Sequence, residues 1–148
     1  MYGDTSVIRG LARELRDQAD DIRREADRLV ARAEGVRWHG LAADAVRHRS
    51  RDRAAALRRT ASLHEDAAAA LDRHAAEVDR LEDLIAAIER RAHNLLAAAR
   101  DRLADLGHGL LGGARHALSD PTDELMSRFD PPPRGSREWL EVDLPGLR

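Results

Sequence analysis

Seven histidines and a large set of carboxylates are the residues of this chain whose side chains could do chemistry. His64-Glu65 opens like the His-Glu-x-x-His pattern of a zinc hydrolase, in which two imidazoles one helical turn apart hold the metal. Ala68 stands where the second histidine belongs, and no two histidines are four residues apart. His64 and His74 are ten residues apart, on different parts of a helix surface, so His64 reads as a boundary residue beside an apolar stripe. Ser50, Ser62 and Ser119 lack the surroundings of an activated nucleophile. The carboxylates have arginines three or four residues away: Asp20 has Arg16, Arg23 and Arg24, and Glu77 has Arg73 and Arg80. That spacing is ordinary solvation of a helix surface. The reading is a non-enzyme with no catalytic residue, no metal site and no cofactor.

The segment 47–53, Arg-His-Arg-Ser-Arg-Asp-Arg, followed by Arg58-Arg59, is the one local basic run, and it could meet phosphates. The net charge of the whole chain is −2, however. A nucleic-acid surface calls for a stronger basic footprint and for stacking groups. Pairing with acidic turns such as Asp17, Asp20 and Asp21 is the better account, and Arg53 is placed to meet Glu25 across a hairpin.

The elements that would position these residues are helices. Charged residues make up 35% of the chain and aromatics only 3%, with alanine and leucine supplying most of the apolar share, a composition of long helices and coiled coils. All non-histidine bases are arginine. With no cysteine, disulfides and thiolate chemistry are excluded. Residues 1–11 do not read as a secretory signal peptide, and no window approaches the roughly 18 apolar residues of a membrane span.

A first helix is predicted over residues 5–34, with Asp4 or Thr5 as N-cap. Ile8, Leu15, Ile22, Leu29 and Val36 recur every seven residues, and Ala12, Ala19, Ala26 and Ala33 follow the first four at a spacing of four. This is a coiled-coil seam in which alanine admits a close neighbour. Gly-Val-Arg-Trp-His-Gly at 35–40 interrupts it. A second helix is predicted over 41–106, a span without proline or glycine, roughly 100 Å long if unbroken. Its seam includes Leu57, Leu71, Val78, Leu81, Ile85 and Ile88. With the chain folded back at Trp38, Ile22 is expected near residues 53–57 and Ile8 near Leu71. The seam beyond Val78 then needs cover from another chain or from the C-terminal segment, because each buried large aliphatic is worth about 1.5–3 kcal/mol.

Residues 1–106 thus read as a helical hairpin and 107–148 as an extension. The extension has a glycine-rich bend after residue 107, a short helix over 121–129 started by Pro121, and a stop at Pro131, Pro132 and Pro133. Trp139, Leu140, Val142 and Leu144 make the end too apolar for a solvated tail; capping of the helices and docking on a partner are both open. The fold class expected is all-α, a long antiparallel hairpin that assembles into a four-helix bundle.

A long amphipathic helix, a Trp38-His39-Gly40 turn and a second long amphipathic helix together resemble the WXG family of type VII (ESX) secretion systems. The resemblance covers about residues 4–99. It implies pairing as a homodimer or as a heterodimer with a related hairpin, and a role as an exported substrate or as an adaptor that brings a partner to the secretion machinery. The partners it implies include a secretion ATPase or a toxin. It also implies a cytoplasmic location before export, with Trp38 at the hairpin tip packing against helix ends. The family's Tyr-x-x-x-Asp/Glu export signal after the second helix is absent, since the single tyrosine is Tyr2. A structural coiled-coil scaffold unrelated to secretion is the alternative reading, and an arginine-mediated nucleic-acid binder is a more distant one.

Overall fold

The computed structural model describes residues 4–109 and 120–147, and the side chains of 106–109 are outside that description. The described chain is all-helical, with two long helices packed against each other as a hairpin. Helix α1 spans Thr5–Glu34 and α2 spans Leu41–Gly109. Helix α3 spans Pro121–Ser127, and a 3-10 turn covers Arg137–Leu140. The glycine-rich bend expected after residue 107 falls mostly outside the described residues. α2 continues to Gly109 instead of ending at 106.

Contacts divide the chain inside α2, not at Gly107: one unit is Gly3–Val78, and the other contains Asp79–Arg148. The division reflects what covers each part of α2. In the first unit α1 does so, and in the second the C-terminal segment does.

Helix α1 begins where the Asp4 side chain accepts the Ser6 amide at 2.9 Å, satisfying one of the free N–H groups of the first turn. Hydrogen bonding from the Ser6 side chain, and after it from the Ser6 amide, holds the Asp4 carboxyl below its ordinary range. The helix ends as the Gly35 amide donates to Ala31 O at 3.0 Å. Gly35 keeps a right-handed φ of −71°, so it does not serve as a left-handed cap. The glycine that uses its conformational freedom is Gly40, at φ +107°, immediately before α2.

The buried line of the hairpin is made of alanine alone. Ala12, Ala19 and Ala26 on α1 and Ala54, Ala61, Ala68 and Ala75 on α2 are fully buried, and Ala33 nearly so. Four ion pairs between the helices fix the register: Arg16–Asp72, Arg23–Glu65, Asp27–Arg58 and Glu34–Arg51. In that register Ala12 is level with Ala75, Ala19 with Ala68, Ala26 with Ala61, and Ala33 with Ala54. The large aliphatics form a parallel ladder: Ile8 with Val78, Leu15 with Leu71, Ile22 with His64, Leu29 with Leu57, and Val36 with Ser50.

This corrects the register expected from folding the chain at Trp38. Ile22 lies level with His64, not with residues 53–57, and Ile8 reaches Val78, not Leu71. The reason is that the first turns of α2 run past the end of α1. There Leu41 is 92% exposed, and the Arg47 guanidinium turns back to donate to Val36 O and Trp38 O at 3.1 and 3.2 Å. Val78 therefore has a partner on α1.

In the second unit the tail supplies the cover that the seam beyond Val78 requires. Ile85 and Ala92 of α2 are buried with Trp139, Val142, Leu144 and Leu147, and Ile88, Leu95, Phe129 and Leu140 pack on them. A second cluster joins Leu96 and Ala99 to Met126 of α3. The Trp139 indole N–H donates to Pro133 O at 3.1 Å, and the Gly135 amide donates to Glu89 Oε2 at 3.3 Å.

Helix α3 is started by Asp120, whose side chain accepts the Thr122 amide, with Pro121 in the first turn. It ends at Ser127, two residues before the predicted Phe129, whose amide still bonds Met126 O in a final tight turn. α3 is pinned to α2 by Arg102, which grips buried Asp123 through two bonds of 2.6 and 2.9 Å. Hydrogen bonding from Arg102 holds the Asp123 carboxyl below the usual range. A depressed carboxylate stabilises the fold above its unfolded value of about 3.9, and that contribution is lost as pH falls through the lower folded value. We expect the Met126 methyl NMR signal to move toward its unpacked position below about pH 4 in the native chain. In Asp123→Asn the same loss should already be present at neutral pH and should change little with acid.

Candidate helix-pairing site

The two edges of the hairpin differ in character, and the difference follows from position relative to the alanine line. On an α-helix, a residue four places after a given alanine lies on one side of it, and a residue three places after lies on the other. Asp72, Glu65, Arg58 and Arg51 of α2 are all of the first kind, counted on the seven-residue repeat of Ala54, Ala61, Ala68 and Ala75. So are Arg16 and Arg23 of α1, while Asp27 and Glu34 extend the same side. Antiparallel helices facing each other bring like sides together, so all four inter-helix ion pairs lie along one edge. The aliphatic ladder, at the three-place position, lies along the other.

The charged edge is closed. Arg23 bonds Glu65 at 2.7 Å and Asp20 at 3.3 Å, Arg58 bonds Asp27 at 2.7 Å, and Arg51 bonds Glu34 at 2.6 Å. Hydrogen bonding from Arg23 holds the Glu65 carboxyl below its ordinary range. Pairs this exposed add little stability individually, and their consequence is the register. The aliphatic edge is partly buried and carries no ion pair between the helices. Ile8, Leu15, Ile22, Leu29, Leu57, Leu71 and Val78 are all only half-buried. Leu11 and Leu63, beside them, are 48% and 67% exposed. Seven large aliphatics in one stripe exceed the scattered exposed leucines of an ordinary surface. The arrangement can pair helices.

The other residues singled out from the sequence fall elsewhere. Leu81 is half-buried in the tail-covered unit, and Ile85 and Ile88 belong to the tail cluster there. Trp139, Val142 and Leu144 are buried and Leu140 is half-buried, so this segment spends its apolar surface on α2. Trp38 stands in the turn at 49% exposure. Gly40 provides the left-handed backbone of that turn.

The basic run is largely committed inside the hairpin. Arg47 holds the turn carbonyls and Asp44, Arg51 pairs with Glu34, and Arg58 pairs with Asp27. Arg53 does not meet Glu25, whose partners are Arg28 and Arg32 on its own helix. Among the described residues no cluster of three metal-ligating side chains is present. Nor is any helix among them long and apolar enough to cross a membrane.

Sequence reasoning found the ladder and missed its one-sided exposure. The signal was available: apart from Val30, arginines and carboxylates occupy the positions four places after the buried alanines, and aliphatics occupy most of the three-place positions. No family model matches the chain, and no match was found among curated proteins or solved structures.

Proposed function

We propose that this chain is a WXG-like helix-pairing protein associated with type VII secretion, acting as an exported substrate or as an adaptor for a partner. The observation that supports the pairing is the incompletely buried aliphatic ladder along one edge of a hairpin whose other edge carries the ion pairs. Covering that edge with a second copy or a related hairpin gives a four-helix bundle and removes the stripe from water. The Trp38-His39-Gly40 turn supports the family reading, with Gly40 at positive φ where the chain reverses. Without the tyrosine-based export signal after α2, an adaptor role would depend on a partner that carries one.

Light scattering after gel filtration tests the pairing. The native chain is expected at dimer mass, and Leu29→Asp at monomer mass with unchanged helical circular dichroism. A charge on the half-buried edge leaves the alanine line intact but must be desolvated in the bundle. Equal masses for both proteins would remove the ladder as the pairing surface. The link to secretion is tested by expressing the tagged chain in a host with a type VII system. Its appearance in the medium should require an active secretion ATPase. A structural scaffold is the second reading, favoured by the 49% exposure of Trp38 in the turn. In that case Trp38→Ala leaves mass unchanged and no export is seen from either protein.

A further inference from the structure

A cleft of about 610 Å³ lies between α2 and the proline segment, inside the C-terminal unit. Clefts of roughly 300–1,000 Å³ are the usual size of small-molecule sites. α2 contributes Ala86, Arg90, His93 and Asn94, which share one helix face by their spacing of three and four residues. The opposite wall is Pro131, Pro132 and Arg134. That wall is tied down on α2 and on the tail. The Gly135 amide donates to Glu89 Oε2 at 3.3 Å, and Pro133 O accepts both the Trp139 indole N–H and the Ser136 amide. Proline rings fix φ, so the wall has its shape before a ligand arrives.

The charge left free in the cleft is positive. The Glu89 side chain is 14% exposed, and its carboxylate is occupied by the Gly135 amide and by Arg134 Nε at 3.9 Å. Asp130 precedes the wall but does not line the cleft. The Arg90 guanidinium and the Asn94 side-chain amide have no partner among the described residues. The Arg134 side chain is 95% exposed, which leaves its terminal nitrogens able to donate. The His93 ring is held by its Nδ1, 2.8 Å from Glu89 O, and by the Trp139 ring at 5.7 Å.

We infer that this cleft binds a small organic anion, a carboxylate or phosphate carried on an apolar body. Arg90 and Arg134 hold the anionic group from opposite walls, and Asn94 donates to it. The planar fork of a guanidinium matches the oxygens of either group. The body lies against Pro131 and Pro132, beside the fixed His93 ring. Such a body is required by the size of the cleft, of which an inorganic ion would fill only a small part. The inference is independent of helix pairing, since every residue it uses belongs to the C-terminal unit.

The test is an NMR titration of the full chain, at neutral pH and constant ionic strength, with sodium benzoate, phenyl phosphate and inorganic phosphate. Benzoate or phenyl phosphate should give saturable shifts at the amides of Arg90, His93, Asn94 and Gly135, and the tighter of the two identifies the anionic group. Arg90→Gln should weaken that binding at least about tenfold with helical circular dichroism unchanged, because a hydrogen bond to a charged group is lost. Arg134→Gln should weaken it as well. Arg100→Gln, exposed on α2 outside the cleft, should bind as the native chain does. Linear, unsaturable shifts with both organic anions overturn the site, and so does an Arg90→Gln protein that binds like the native chain. Inorganic phosphate bound as tightly as phenyl phosphate also overturns the inference, because the apolar wall then contributes nothing.

Discussion

Trp139→Ala is expected to destabilise the C-terminal unit by about 3–5 kcal/mol, the usual cost of truncating a buried tryptophan. Trp139 is 1% exposed and is the largest fully buried side chain of the described residues. Its ring joins the two parts of that unit. One face of the cluster is Ile85 and Ala92 of α2, and the other is Val142, Leu144 and Leu147 of the tail. The His93 ring lies 5.7 Å from it, and its N–H fixes the proline segment through Pro133 O. Truncation leaves a cavity and removes the indole bond to Pro133 O, which keeps only the Ser136 amide. Amide hydrogen exchange should show protection falling at Ser136, Trp139, Glu141 and Leu147, whose amides bond within the tail. Protection in α1 should be retained. A variant with native exchange across the tail would mean that the tail is held by something other than this cluster.

The buried tail also explains which part of the sequence was readable. Helix starts were legible because they are local: Asp4 and Asp120 each accept an amide two residues on, as short polar side chains at a helix N-terminus do. The alanine and aliphatic repeats were legible because a seven-residue period is visible in any window of a few turns. The register was not, because it depends on how many residues the turn consumes, and folding at Trp38 assumed a symmetric one. Arg47 bonding back to Val36 and Trp38 is a contact between residues 11 and 9 apart, and nothing in the repeat announces it. The destination of Trp139, Val142 and Leu144 was equally hidden. An apolar tail declares that it must be buried and does not say on what.

The same reasoning separates what each edge of the hairpin contributes. The ion pairs favour the observed antiparallel register, since a slip of one repeat sets Asp27 against Glu65 in one direction, and Arg23 against Arg58 and Glu34 against Asp44 in the other. The aliphatic edge does little to choose register, because one large aliphatic meets another at most layers. It is also the edge that a second hairpin can use. His64 and Ser50 are the polar members of the ladder.

Close approach of the two helices is the feature on which both edges depend, and Ala26→Leu tests it. Ala26 and Ala61 are both fully buried and level with each other, so no space remains for a longer side chain at either position. Helices pack at about 8–10 Å between axes according to the side chains between them, and an alanine line belongs at the near end of that range. A leucine at 26 must push α1 away from α2 or leave its preferred rotamer. The first outcome would stretch Arg23–Glu65 and Asp27–Arg58, which flank the site at 2.7 Å. The expected destabilisation of the hairpin is about 1–3 kcal/mol, against less than about 0.5 kcal/mol for the control Ala31→Leu on the exposed face. Ser50→Leu, at a half-buried position on the aliphatic edge, should be tolerated, because that edge has room on its outer side. Urea denaturation of the three variants decides the matter. If Ala26→Leu is as stable as Ala31→Leu, the helices are not held together along the alanine line. The partly buried ladder would then lose its explanation as the edge left over once the alanines have met.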